Sequence, residues 1–132
     1  MEHCYPSLIR VLSAVSQQAV NHPDLRTLHI LHDGAWDHPL VYLDYYKLVE
    51  ALTNAAWANR QGWTDGQPMR RVTHSGMVST QWGESDWKVA VDIELARRAE
   101  VFIGNGYSSL TTQVVALRLG ADRGNADDIT LL

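Results

Sequence analysis

The chain has 132 residues, 45% of them hydrophobic and 20% charged, and a formal net charge of −4. This composition is typical of one ordinary domain that can bury a core, and it does not require a disordered chain. Basic residues are paired only at Arg70/Arg71 and Arg97/Arg98, so no clustered basic face is present to bind nucleic acid. No apolar run is long enough to span a membrane. Because Cys4 is the only cysteine, an internal disulfide and a multi-cysteine metal site are excluded.

Helices and strands alternate from the start of the chain. Ser7 is a favourable N-cap for a first helix, and the segment 21–23, Asn-His-Pro, predicts its end. The segment 25–31 is apolar and short, which predicts a buried strand. Residues 35–43 are expected to be irregular. Asp44 is expected to cap a second helix that continues to about residue 59, with Tyr42, Tyr45 and Tyr46 holding it on the sheet.

The second half of the chain continues the alternation. A weak strand is predicted over 71–75, and Ser85 or Asp86 is expected to cap a third helix that runs to about Ala99. Residues 101–103 form an apolar strand that turns into a fourth helix, Ser109 to Leu119. Gly120 is expected at the position that follows this helix. The last residues, 121–132, are expected to be a polar, frayed tail.

This order predicts an α/β fold, with helices on the faces of a short parallel sheet. Residues 1–120 would form one domain. Three strands make a thin sheet, however, and parallel strands need both faces covered. The predicted domain is therefore expected to be an incomplete part of a doubly wound fold.

The strongest motif is the strand–turn–helix segment that contains Gly104, Asn105 and Gly106 and then Ser108 and Ser109. Ligands of open α/β sheets bind beyond the carboxyl ends of the strands. The first amides of a helix have no partner within the helix, and its dipole attracts an anion. The segment therefore indicates a diphosphate site. The alternative is that Ser109 is only an N-cap and that the glycines only turn the chain.

Asp92 is an acid within an otherwise apolar helical face. A carboxylate at such a position can accept two hydrogen bonds from the edge of a guanine. The alternative is an exposed acid that pairs with Lys88, one turn earlier on the same helix.

Residues 91–110, VDIELARRAEVFIGNGYSSL, resemble the C-terminal motif of the GDP-fucose protein O-fucosyltransferases and their fungal relatives. That motif has an acid on a helix, a strand that ends in FIGN or FIGT, and then a pair of hydroxyl residues. The resemblance implies a GT-B glycosyltransferase, of which this chain would supply the Rossmann-like, three-layer α/β/α C-terminal half. The implied donor is GDP-fucose, and the acceptor is an unknown protein or glycan.

The resemblance also implies roles for individual residues. Asp92 would hold the guanine, Ser108 and Ser109 would bind the pyrophosphate, and Leu110 would pack nearby, with Gly104 and Asn105 completing the nucleotide-sugar site. No metal or other cofactor is implied, since protein donors stabilise the departing GDP. Asp33 is a further candidate, because the strand 28–33 weakly resembles an earlier strand of that family. Members of the family work in the secretory pathway.

The sequence departs from the family in three respects. The His-x-Arg motif, whose arginine neutralises the diphosphate, does not occur. Leu110 stands where an aromatic residue is expected, and the acceptor-binding N-terminal domain is missing. These departures predict a fragment of a longer enzyme that is weak or inactive alone. The alternative is a non-catalytic nucleotide-binding or interaction module derived from the same fold.

Other residue clusters indicate other chemistry less strongly. A metal site could use the imidazoles and carboxylates of residues 29–38, but His29 and His32 would lie on opposite faces of one strand. A hydrolase triad of Asp33, His74 and Ser75 lacks a nucleophile elbow. The five tryptophans could stack on a base or a sugar, although packing in the core or under loops is expected. They are Trp36, Trp57, Trp63, Trp82 and Trp87.

Overall fold

The computed structural model describes residues 6–32, 39–60, 62, 68–77 and 85–132. The helices are α1 (Leu8–Asn21), α2 (Pro39–Thr53), α3 (Ala55–Arg60), α4 (Ser85–Arg98) and α5 (Ser109–Ala116). The strands are β1 (Thr27–Ile30), β2 (Arg71–His74), β3 (Phe102–Gly104) and β4 (Ile129–Leu131). A π-helical turn, Leu117–Ala121, continues α5, and short 3₁₀ turns cover Ser75–Met77 and Ala126–Asp128. The predicted α/β class is confirmed.

The described strands form two separate parallel pairs. β1 pairs with β2 in the register Thr27 to Arg71, and β3 pairs with β4 in the register Phe102 to Ile129. The parallel direction agrees with the predicted alternation. A single three-stranded sheet is not observed in the described part of the chain, because β3 pairs with β4, a strand that the sequence pattern does not predict.

The chain divides into two compact units. The central unit is Val15–Ser79, and the C-terminal unit combines Met1–Ala14 with Thr80–Leu132. Each has its own buried apolar residues: Val15, Ala19, Leu52, Ala58 and Met69 in the central unit, and Ala14, Ala96, Phe102 and Val114 in the C-terminal unit.

Two helix starts show how local side chains set the boundaries. The Ser7 side chain accepts a hydrogen bond from the Arg10 amide at 3.4 Å, which confirms the predicted N-cap of α1. In contrast, α2 begins at Pro39 instead of at Asp44, since proline suits the first turn of a helix. Asn54 then interrupts the predicted long helix, because its side chain caps the amides of Ala56 and Trp57.

An aromatic contact in the described part of the central unit packs α2 against β2. The rings of Tyr45 and His74 meet edge to face, with centroids 4.8 Å apart. Tyr42 and Tyr46 are both more than half exposed. Of the three tyrosines expected to hold this helix on the sheet, Tyr45 is thus the one that does so.

The end of the chain differs from its prediction. The last residues were expected to fray, yet β4 pairs with β3, and the Leu132 amide donates to the Gly104 carbonyl at 2.9 Å. Three apolar residues that follow a polar segment show too little periodicity to predict a strand. Gly120 does not end α5 in a left-handed conformation; instead, Arg123 has a φ of 53°.

A steric constraint explains why position 124 is a glycine. The Gly124 amide donates to the Arg118 carbonyl at 2.7 Å. A Cβ at this position would lie 2.9 Å from that same oxygen. The backbone that follows the π-helical turn therefore packs against Arg118 at a residue that has no side chain.

The C-terminal end of α4 is held by a buried arginine. Arg118, in the π-helical turn, is 6% exposed. Its guanidinium donates to the carbonyls of Ala96 at 2.9 Å and of Glu100 at 2.9 Å, and also to those of Arg97 and Ala99. The last carbonyls of a helix have no partner within it, and a cation there complements the helix dipole. Arg118 therefore joins the end of α4 to the segment that follows α5.

A second set of charges surrounds the same helix end. The Glu94 carboxylate accepts two hydrogen bonds from Arg97, both at 2.8 Å, and one from Arg98. These hydrogen bonds lower the pKa of Glu94 to about 2. Arg97 also donates to Asp122 at 2.6 Å, and both contacts raise its pKa. Because these groups are partly exposed, salt screens their attraction.

We expect Arg118→Met to destabilise the C-terminal unit by about 3 kcal/mol. The substitution keeps much of the volume but leaves several buried carbonyls without a donor, and hydrogen bonds to a charged group are among the stronger ones. Urea unfolding followed by circular dichroism measures the change. Arg98→Met, at an exposed position on the same helix end, is the control, with an expected loss below about 1 kcal/mol. Equal losses of stability in the two variants would contradict the role of Arg118 as the donor to these carbonyls.

Candidate functional site

The site predicted from the sequence lies in the C-terminal unit, where β3 turns into α5. Asn105 shapes the turn, since its side-chain oxygen accepts a hydrogen bond from the Tyr107 amide at 3.0 Å. The Ser108 amide then donates to the Asn105 carbonyl at 3.0 Å, and α5 begins at Ser109. The strand–turn–helix arrangement is therefore present as the sequence predicted.

The first turn of α5 has no side-chain cap. Ser108 occupies the N-cap position in an extended conformation, and its side chain makes no capping hydrogen bond. The alternative that Ser109 is the N-cap is wrong, because Ser109 is the first helical residue and is exposed. A serine at the N-cap ordinarily accepts from an amide of the first turn. Here no capping side-chain oxygen offsets the positive end of the helix dipole.

The two glycines of the turn have different surroundings. A Cβ on Gly104 would lie 2.6 Å from the Thr111 methyl carbon and 2.8 Å from a ring carbon of Phe102. Glycine at 104 therefore allows β3 and α5 to pack closely. The Gly106 amide is engaged, since it donates to the Leu132 carbonyl at 3.3 Å. Any anion at this turn would thus be held by the start of α5 rather than by Gly106.

Asp92 lies on α4, in the same unit, and is half-buried. It is one turn before Ala96, which is buried and whose carbonyl accepts from Arg118. Residues four apart share one face of a helix, so Asp92 lies on the same face of α4 as the buried side chain of Ala96. Lys88 and Asp92 do not form an ion pair; among the described residues, Asp92 has no hydrogen-bonding or ionic partner. The alternative of a Lys88–Asp92 pair is therefore not observed.

Leu110, the other predicted site residue, follows Ser109 in the first turn of α5 and is half-buried. Thr112, one turn after Ser108, donates to the Ser108 carbonyl through both its amide, at 3.1 Å, and its hydroxyl, at 3.3 Å. The structure thus brings Gly104, Asn105, Ser108, Ser109 and Leu110 together at the head of α5. It places Asp92 on the neighbouring helix. Asp33 lies outside the described residues.

The histidines of the central unit are engaged with their own strands. His29 Nδ1 and the Thr73 hydroxyl lie 2.7 Å apart across β1 and β2. The Ser75 hydroxyl donates to the Ile30 carbonyl at 3.3 Å and accepts from the His32 amide at 3.4 Å. The Ser75 hydroxyl is therefore hydrogen-bonded to backbone groups. It does not pair with His74, as the nucleophile of a triad would pair with its base. No group of three potential metal ligands occurs in the described ranges; Asp33, Asp37 and His38 lie outside them.

The tryptophans vary in exposure. Trp57, on α3, is half-buried. Trp87 is 67% exposed on α4, so the expectation that it packs under a loop is wrong. Trp36, Trp63 and Trp82 lie outside the described residues.

No protein-family model, no curated protein and no solved structure matches the chain. In the part of the chain that the structure describes, no helix has the length and apolar character needed to cross a membrane.

The packing of Gly104 can be tested by adding a methyl group. We expect Gly104→Ala to destabilise the protein by about 2 kcal/mol, because the new methyl overlaps Thr111 and Phe102. In a Thr111→Ala background the same substitution should cost roughly half as much, since one of the two obstacles is removed. Gly120→Ala is the control; nothing lies within 4 Å of its Cβ position, and alanine favours a helix. Thermal unfolding of the wild type and the four variants, Thr111→Ala alone among them, would contradict this packing if Gly104→Ala and Gly120→Ala behaved alike.

His74 gives the central unit a dependence on pH. Burial, together with the charge of His29, lowers the pKa of His74 below its usual 6.5, and its Nδ1 accepts from the Gly76 amide at 3.0 Å. The unfolded chain therefore takes up this proton at a higher pH than the folded chain does. Stability should fall as pH decreases from 7 through 6.5 and below.

His74→Asn removes the titrating group and keeps an acceptor for the Gly76 amide. We expect the midpoint of urea unfolding to vary less between pH 7 and pH 5 in this variant than in the wild type. An unchanged slope of stability against pH would show that His74 does not contribute.

Proposed function

We propose that this chain binds GDP-fucose as the donor-binding part of a fucosyltransferase-type glycosyltransferase, with the diphosphate at the head of α5. The observation that carries the proposal is the uncapped first turn of α5. Ser108 stands at its N-cap without capping it, and Ser109 is exposed beside it. Two hydroxyls and the free amides of the first turn are thus available for an anion.

The position of Asp92 supports a guanine as the base. A carboxylate without a partner can accept from the two N–H groups of a guanine edge, and adenine does not present the same pair of donors. Asp92 is half-buried, and partial burial strengthens such hydrogen bonds. It also belongs to the same unit as α5, with the Arg118 contacts fixing the end of its helix.

The chemistry follows from where charge develops during transfer. An acceptor hydroxyl attacks the anomeric carbon of fucose and releases its proton to solvent, while the bond from that carbon to the diphosphate breaks and its electron pair leaves with the diphosphate. Negative charge then builds on the departing phosphate oxygens. Amides and hydroxyls at a helix head are fixed before this charge appears, so they stabilise it without reorganising. The Ser108 and Ser109 hydroxyls would donate to these oxygens, and the helix dipole would add to their effect.

A second candidate is a non-catalytic module that binds the nucleotide without transferring the sugar. The observation that favours it is the lack of a His-x-Arg motif in the sequence. Three arginines of the C-terminal unit are engaged elsewhere: Arg118 with carbonyls at and just after the end of α4, and Arg97 and Arg98 with Glu94. An arginine that neutralises the diphosphate contributes strongly to catalysis, so binding could persist without turnover.

Titration calorimetry with GDP, ADP and inorganic pyrophosphate tests the proposal. We expect the wild type to bind GDP more tightly than ADP. Ser109→Ala should weaken GDP and pyrophosphate alike, by about tenfold, because a hydrogen bond to a charged group is lost. Asp92→Asn should weaken GDP by about tenfold and leave pyrophosphate unchanged, since it affects the base alone.

Two control variants match these changes. Gln113→Ala alters an exposed side chain of the same helix, and Asp44→Asn removes an exposed carboxylate in the central unit. Neither should change the affinity for GDP. Failure of the wild type to bind GDP, or equal affinities for all five proteins, would contradict the proposal. Release of GDP from GDP-fucose in the presence of an acceptor would separate the enzyme from the non-catalytic module.

A further inference from the structure

The turn before α5 contains an asparagine followed by a glycine, Asn105 and Gly106. Asn105 is the one asparagine in the sequence that a glycine follows. The backbone nitrogen of the following residue can attack the side-chain carbon Cγ of an asparagine and close a succinimide ring. Glycine has no side chain to obstruct this attack, so the pair is chemically reactive wherever the backbone permits the approach.

The structure holds the side chain of Asn105 in a position that favours this attack. Its Oδ1 accepts a hydrogen bond from the Tyr107 amide at 3.0 Å. Because this hydrogen bond spans the Gly106 peptide, the side-chain carbonyl is folded toward the Gly106 nitrogen. A donor on that oxygen also stabilises the negative charge that develops there when the carbonyl carbon is attacked. The electrophile is therefore placed and polarised by the turn itself.

The nucleophile, in contrast, is restrained by β4. The Gly106 amide donates to the Leu132 carbonyl at 3.3 Å, and an amide nitrogen attacks only after it has lost its proton. The distance is longer than most N–H···O hydrogen bonds in proteins. Leu132 follows a strand of only three residues, and its own amide donates to the Gly104 carbonyl at 2.9 Å. Because short elements open locally at small cost, opening of β4 releases the Gly106 amide.

We propose that Asn105 is a site of spontaneous deamidation and that β4 sets its rate. The Gly106 nitrogen gives its proton to water and attacks Cγ of Asn105. The bond from Cγ to the side-chain nitrogen breaks, and ammonia leaves with the electron pair after taking a proton from water. A second water then opens the succinimide at either carbonyl, which gives aspartate or isoaspartate. The reaction consumes water, releases ammonia and needs no enzyme.

Asn125 provides a matched comparison within the same chain. Its Oδ1 accepts from the Asp127 amide at 3.0 Å, which is the same hydrogen bond that Asn105 makes. The following residue is Ala126, whose methyl group obstructs attack by its nitrogen. Asn125 is exposed and Asn105 is half-buried, so exposure alone would make Asn125 the faster of the two. The proposal requires the opposite order.

Peptide mapping by mass spectrometry measures both rates in one sample. Trypsin cleaves after Arg98, Arg118 and Arg123, which puts Asn105 in the peptide 99–118 and Asn125 in the peptide 124–132. The folded wild type is incubated at mildly alkaline pH, then unfolded and digested at mildly acidic pH so that digestion adds no product. We expect Asn105 to deamidate about tenfold faster than Asn125. This comparison needs no substitution, and equal rates would overturn the inference.

Gly106→Ala tests the attacking nitrogen. Gly106 does not have a left-handed φ, and a Cβ there would lie 3.6 Å from the Leu132 oxygen and 4.0 Å from the Leu131 Cβ. These are ordinary contacts, so alanine fits the turn without strain. We expect Gly106→Ala to slow deamidation of Asn105 by about tenfold. A folded variant that reacts as fast as the wild type would contradict the mechanism.

Leu132→Pro tests the restraint by β4. Proline has no backbone N–H, so this variant loses the hydrogen bond to the Gly104 carbonyl that seats Leu132 on the turn. We expect deamidation of Asn105 to be about threefold faster, because the Gly106 amide is released more often. Leu132→Ala keeps the backbone donor and is the control, with an unchanged rate. Equal rates in the two Leu132 variants would show that β4 does not set the rate.

Resting on the proposed function, deamidation also regulates the anion site. It places a negative charge in the turn that leads into α5, where that charge opposes the binding of a diphosphate. Asn105→Asp keeps the acceptor for the Tyr107 amide and adds only the charge, so we expect it to bind pyrophosphate about tenfold more weakly than the wild type. Asn125→Asp, before the start of β4, is the control and should keep the wild-type affinity.

The two measurements separate the two proposals. If Asn105 deamidates faster than Asn125 but the wild type binds no pyrophosphate or GDP, the inference stands and the proposed function is wrong. If Asn105 deamidates no faster than Asn125, the inference is wrong, whatever the binding experiments show.

Discussion

The contact on which the C-terminal unit depends is the one between Arg118 and the end of α4. A helix ends with carbonyls that need donors, and in a buried position water cannot supply them. With one guanidinium, Arg118 donates to two of these carbonyls, those of Ala96 and Arg97, and to those of Ala99 and Glu100 just after the helix. The π-helical turn that contains Arg118 continues α5 directly. Arg118, together with the Arg97–Asp122 ion pair, therefore joins the end of α4 to the segment that continues α5.

A second contact fixes the other end of α5. Gly104 lets Thr111 approach β3 more closely than any residue with a Cβ would permit, and Thr111 is itself buried. Because protein interiors are close-packed, such a contact leaves little freedom in the angle between strand and helix. With Arg118 at the C-terminal side and Gly104 at the N-terminal side, the head of α5 has a defined position relative to Asp92.

The sequence predicted those features that depend on neighbouring residues. Ser7 as an N-cap, the end of α1 before Pro23, and the glycine-containing turn before Ser109 all result from local backbone chemistry, and the structure has each of them. Long-range features were not predictable in the same way. Nothing in the three residues of β4 indicates that they pair with β3, and the role of Arg118 depends on carbonyls about twenty positions away. In a sequence, a lone arginine near the end of a helix is ordinarily interpreted as a solvated charge. Its role as a cap of another helix becomes apparent only when the structure shows that it is buried.

The pairing of β4 changes how an anion could be held at the turn. A glycine-rich turn binds phosphate when its amides are free, as in a nest of successive N–H groups. Here the Leu132 carbonyl already accepts from Gly106, which leaves the first turn of α5 as the donor set. Donors at a helix head act together with the dipole of the whole helix, whereas an isolated turn amide acts alone. With the turn amide engaged by β4, an anion bound here would have to be held by the first turn of α5, at Ser108 and Ser109. On the proposed function, one short strand thus decides which donors of the turn a diphosphate can use.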